Sequence, residues 1–164
     1  MGTLTSYKSI EEKQAVFTNC VFCDTEKDIR DWLTGIGEGS LNGVGMAFRG
    51  LTRGSYKLYS SLQRSWVEQD LALHQQNHKG IVQRILDEAF EQRVNGTSLV
   101  NGERDELAML SYLQHHGCPT PFLDFTSDVR VALFFASQEP KGAGNGSELD
   151  NYFSISSIAK LWMP

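Results

Sequence analysis

The densest run of chemically capable side chains is His115-His116-Gly117-Cys118-Pro119-Thr120, followed by Pro121-Phe122-Leu123-Asp124-Phe125-Thr126-Ser127. Two imidazoles beside a thiol are the ingredients of a hydrolase nucleophile, yet residues this close along one chain rarely reach the required geometry. Each chemical reading therefore has a structural one beside it. Histidine in the last turn of a helix is favoured by the partial negative charge there, without any catalysis. Asp124 either belongs to a site or holds an extended segment in place. Arg49, between Phe48 and Gly50, either pairs with a buried carboxylate such as Asp124 or contacts a ligand. Cys20 and Cys23 form a lone C-x-x-C. Zinc would need two further ligands, with Cys118 and His115 nearest in type, and thioredoxin-like redox chemistry wants the pair at a helix start. Buried thiols are the simpler reading, and no metal is expected.

These residues depend on the elements that carry them. Residues 15–22, rich in β-branched and aromatic types, read as a strand, which would send Cys20 and Cys23 to opposite faces unless it ended between them. A helix follows, with Thr25 and Asp28 spaced as a variant capping box. Residues 44–50 read as a strand with Arg49 at its exit. Helix dominates from Ser61 to Gln92, broken near Gly80, and Gly96 is a plausible stop. Within it Ile81, Val82, Ile85, Leu86, Ala89 and Phe90 form one apolar stripe. Residues 103–116 make the next helix, ended by Gly117 and Pro119. The prolines keep 119–125 extended, and Thr126 or Ser127 caps a helix from Asp128. Its apolar run, Val129 to Phe135, reads as buried core. A glycine-rich surface loop over 139–150 leads to a strand at 151–158.

With 164 residues, 40% of them hydrophobic, the chain is long enough for one core and short for two domains. A formal net charge of -5 gives no positive field to gather phosphates, so nucleic-acid binding is not expected. No stretch approaches about 18 consecutive apolar residues and the N-terminus lacks the order of a signal peptide, so no membrane is expected. Three cysteines are too few for a disulfide scaffold, which agrees with a cytoplasmic setting.

Met46-Ala-Phe-Arg-Gly-Leu51, then Tyr56-Lys-Leu-Tyr-Ser-Ser-Leu-Gln-Arg64, then Leu110 to Ala136 through Gln-His-His-Gly-Cys-Pro-Thr and Leu-Asp-Phe-Thr-Ser, resemble the FRG domain family in the family's order over residues 44–137. Leu51, His116, Pro121 and Phe125 stand where glutamine, tyrosine, arginine and tryptophan are common in that family. The change at Pro121 weakens an anion contact there. A weaker resemblance is to ADP-ribosyltransferases of the arginine-serine-glutamate type. Phe48-Arg49-Gly50 is similar to their aromatic-Arg-Gly strand end, and Phe125-Thr126-Ser127 before Ala132 to Ala136 to their hydroxyl-bearing strand and helix.

The resemblances imply an α+β fold: a single domain over 1–164, with a small mixed or antiparallel sheet flanked by several helices, ADP-ribosyltransferase-like in the finer reading. They imply that Arg49 forks onto an NAD pyrophosphate and that Gly50 allows close backbone approach. Thr126 or Ser127 would bond the nicotinamide-side ribose, near helix N-terminal amides that favour negative charge. Phe48, Arg64, Gln114, His115 and Asp124 would line the cleft. No cofactor is expected to bind tightly, with NAD as a cosubstrate. Transfer needs a glutamate, but after Glu139 only Glu148 follows and no Glu-x-Glu pair is present, so no catalytic residue is assigned. Either the natural chain continues past Pro164 with that strand or the transfer activity is absent. The alternative is a noncatalytic module that recognises a nucleotide or a protein partner.

Overall fold

Helix starts follow their capping side chains. In the computed structural model, which describes residues 4–17, 19–40, 45–72, 77–92, 99–100, 103–140 and 144–160, Ser9 accepts the Glu12 amide and starts α1 (Ile10–Val16). The strand expected over 15–22 is not formed. The Ser9 cap and the helix formers after it carry α1 through Val16, and the described residues 19–24 are irregular. The Thr25/Asp28 box is present, each side chain accepting the other's backbone N–H, at 2.9 and 3.2 Å, and it opens α2 (Glu26–Ser40). β1 (Gly45–Leu51) follows.

α3 (Ser61–Glu68) opens with a full capping box between Ser60 and Gln63. The break expected near Gly80 lies between Glu68 and His78, because Asn77 caps α4 (His78–Glu91) by accepting the Gly80 amide at 3.0 Å. Gly80 therefore belongs to the first turn. The expected stop at Gly96 lies outside the described residues. Leu99–Val100 and Glu103–Arg104 pair as a short hairpin, β2 and β3, so the helix expected from residue 103 begins only after Asp105, as α5 (Glu106–His115).

The end of α5 is the one the sequence signals. Gly117 takes φ +83°, its amide reaches the Gln114 carbonyl at 3.0 Å, and the Cys118 amide reaches the Leu113 carbonyl at 2.9 Å. This is a complete Schellman stop, with Pro119 preventing continuation. α6 (Val129–Ala136) is capped by Asp128, whose carboxylate accepts the Arg130 amide at 2.9 Å, and not by Thr126 or Ser127. A 3-10 turn over Glu148–Asn151 takes the start of the last expected strand, leaving β4 at Ser154–Lys160.

The architecture is α+β, as the resemblances imply. β1 and β4 pair antiparallel, from Gly45 opposite Lys160 to Leu51 opposite Ser154. On its other edge β1 meets Thr126 through Phe48, each donating its N–H to the other's carbonyl, at 2.7 and 2.8 Å.

The chain gathers into two compact units. The helical unit, residues 58–123 with 1–4, contains α3 to α5 and a core of Leu86, Ala89, Met109 and Leu110, with Val82 and Phe90 of the expected α4 stripe packed against it. The sheet unit, residues 5–57 and 124–164, contains α1, α2, α6, β1 and β4. There α6 lies on β1 through small residues. The space a Cβ would take at Gly50 holds the Ala132 carbonyl oxygen and, at 2.8 Å, the Ala136 nitrogen.

The run from Val129 to Phe135 is not buried throughout. Ala132 and Ala136 are buried, whereas Val131, Phe134 and Phe135 are 41%, 60% and 57% exposed, because small residues alone make the close approach. No helix among the described residues is long and apolar enough to cross a membrane.

Candidate functional site

The site builds outward from the pairing of Phe48 with Thr126. Side chains of directly paired residues share a face, and neighbours along a strand alternate. Phe48 and Thr126 therefore share one face of β1, and Arg49 belongs to the other. Directly across β4, Arg49 is paired with Ser156. Phe48, expected to line a cleft, is 3% exposed and belongs to the core. Arg49 is half-buried and donates from Nη1 to the main-chain oxygen of Asp124 at 2.7 Å. The sequence anticipated Arg49 beside Asp124, and this bond to the Asp124 peptide carbonyl brings the two together, with Asp124 itself exposed.

The two hydroxyls left as alternatives differ in their surroundings. Thr126 Oγ1 accepts the Asp128 amide at 3.1 Å and so belongs to the turn into α6. Ser127 is exposed. The first-turn amide of α6 expected to favour a ligand's negative charge is instead used by the protein's own Asp128. Arg130 forks onto the same carboxylate, Nε to Oδ1 at 3.0 Å and Nη2 to Oδ2 at 2.8 Å. These bonds, with the Arg130 amide, hold the Asp128 carboxyl down to about 2. Sequence reading missed the Asp128–Arg130 fork and Ser156. An Asp one residue before a helix and two before an Arg was the available signal for the first, while Ser156 emerges only from the β1–β4 register. At Gly50 the backbone that makes the close approach is that of α6.

Arg64, Gln114 and His115 belong to the helical unit. Arg64 Nη1 donates to the Tyr59 carbonyl at 2.7 Å and steadies the entry to α3. Gln114 Oε1 accepts the hydroxyl of Thr120, a residue with no exposed surface. Ser61 Oγ accepts the Thr120 amide at 2.9 Å and donates to the Thr120 carbonyl at 3.2 Å, and the Leu62 amide adds a bond to that carbonyl at 3.1 Å. The Ser-Leu-x-Arg step and the Gln-His-x-Gly-x-Pro-Thr segment are thus one hydrogen-bonded knot. His115 is exposed, its ring edge-on to that of His116 at 5.4 Å.

The cysteines are free and half-buried. Cys20 and Cys23 line the same cavity instead of opposite faces of a strand, and burial, with Asp28 and Asp24 nearby, pushes the Cys23 thiol up. Cys118 lies in the helical unit with His115, and no three His, Cys, Asp or Glu side chains among the described residues gather to hold a metal.

The family model described as the FRG domain matches residues 45–144, more than half of the chain. No curated protein and no solved structure matches it.

Proposed function

Because the chain belongs to the FRG domain family, we propose that its sheet unit is an NAD-binding, ADP-ribosyltransferase-like module in which Arg49 contacts the pyrophosphate and Ser127 the ribose. The observation that supports this reading is the Phe48–Thr126 pairing, which joins the arginine-bearing strand to the hydroxyl-bearing segment despite their separation in sequence. A guanidinium presents five donors in a rigid plane. The Asp124 carbonyl orients that plane through Nη1, and Ser156 adds a hydroxyl across the strand pair. Thr126 has a positioning role, holding the turn that presents Ser127, and Gly50 serves by admitting α6.

Binding without transfer is the second reading, favoured by Glu148. Departure of nicotinamide leaves an oxocarbenium-like centre that a carboxylate must stabilise. The Glu148 carboxylate, which follows the hydroxyl-bearing segment in sequence, accepts the Ile10 amide at 3.3 Å instead. In this reading the same residues recognise a nucleotide, or a protein partner that presents one, with NAD as a ligand and not as a substrate.

Calorimetric titration with NAD and with ADP-ribose tests both. Saturable binding of either, weakened about tenfold or more in a folded Arg49→Ala variant and not restored by Arg49→Lys, is the expected result. Unchanged affinity in that variant overturns the assignment. Release of nicotinamide from bound NAD separates transfer from recognition.

A further inference from the structure

The sheet unit also holds a half-open cavity of about 790 Å³, within the size range of small-molecule sites. It lies among the last turn of α1, the irregular passage to α2, and Ser154 to Ser157 of β4, with aromatic walls from Phe22, Trp32 and Tyr152. Lys13 lines it and is only 8% exposed. Its ammonium donates to the Gly54 carbonyl at 2.5 Å and sits 5.7 Å from the Tyr7 ring centroid. Among the described residues no carboxylate lies within ion-pair distance of it. The nearest acid on its own helix, Glu12, is engaged by the Lys8 amide at 2.8 Å and Lys57 at 3.3 Å.

A buried ammonium without a counter-charge is unfavourable, and burial pushes the Lys13 pKa down, against a smaller opposing influence of Cys20. An ammonium has three N–H donors, and the Gly54 carbonyl takes one. Ser154 lines the same cavity, and among the described residues its buried Oγ has no hydrogen-bond partner. A ligand that satisfies both groups brings an anionic acceptor, and the aromatic walls call for a flat apolar body.

We propose that this cavity binds a small aromatic carboxylate, its acid group on Lys13 and Ser154 and its ring system against Phe22 and Trp32. Titration of the whole chain with 2-naphthoate, followed by calorimetry and by the NMR signal of the Trp32 indole, tests this against 2-naphthamide, which keeps the shape and lacks the charge. Saturable binding of the acid, about tenfold or more tighter than the amide, is expected. Lys13→Met should weaken the acid to the level of the amide, and Cys20→Phe should exclude both by filling the cavity. Arg49→Ala should change neither, which separates this site from the nucleotide reading. No saturable binding of the acid, or equal binding of acid and amide, overturns the proposal. If Lys13→Met does not fold, the acid–amide comparison in the unaltered chain and the Cys20→Phe variant decide it.

Discussion

Thr120 shows how much of a family motif can be architecture. Its amide, carbonyl and hydroxyl are all bonded, to Ser61, Leu62 and Gln114, and it has no exposed surface. Thr120→Val keeps the shape and removes the hydroxyl, leaving Gln114 a bond short, so a loss of about 1–3 kcal/mol in chemical denaturation is expected. Thr120→Ser should recover most of it. Asp128 offers a contrasting residue, since its carboxyl sits at about 2 because Arg130 grips its ionised form. A depressed folded value means that its contribution to stability is present above the ordinary carboxyl range and is lost as pH falls through about 2. In an NMR titration, Arg130→Gln should move the Asp128 midpoint up towards the ordinary value of 3.8. No movement would mean that the fork is not formed in solution.

At the scale of elements, β1 and α6 meet backbone to backbone at Gly50, and the contact depends on the absence of a side chain. Gly50→Ala would drive a methyl group into the Ala132 carbonyl, and the helix must shift to admit it. A loss of about 1–3 kcal/mol is expected in thermal or urea unfolding, as for other overpacked sites. An unaffected melting temperature would show that α6 is not seated on β1. Element ends with a local chemical cause were legible in sequence, as with the Thr25/Asp28 box and the stop at Gly117. The apolar run after Val129 was misread as core because composition does not say which side of a helix makes contact. Ala132 and Ala136 decide that, by being small enough for backbone to meet backbone. Residues 15–22 differ because the upstream Ser9 cap outweighs their β-type composition, and the break expected near Gly80 falls before Asn77 because that side chain caps α4. The pairings of Arg49 with Ser156 and of Phe48 with Thr126 join distant stretches, and no local pattern announces them.

At the scale of the molecule, a net charge of -5 sets how a nucleotide would be held. The overall field repels a pyrophosphate, so in the proposed reading any affinity for NAD would have to come from short-range contacts, and substituting Arg49 should remove a large share of it. The α+β architecture was legible, whereas the division into two units was not, because the break falls inside one unbroken motif, between Leu123 and Asp124. That break bears on how the family can diverge. The motif looks like a single signature along the chain, yet it records two separate local agreements: Ser61 and Gln114 with Thr120, and Gly50 with Ala132 and Ala136. A relative that abandons one agreement is free to keep the other, so substitutions should be inherited in these groups, and a larger residue at the place of Gly50 should travel with a displaced or altered partner helix while the threonine knot passes unchanged.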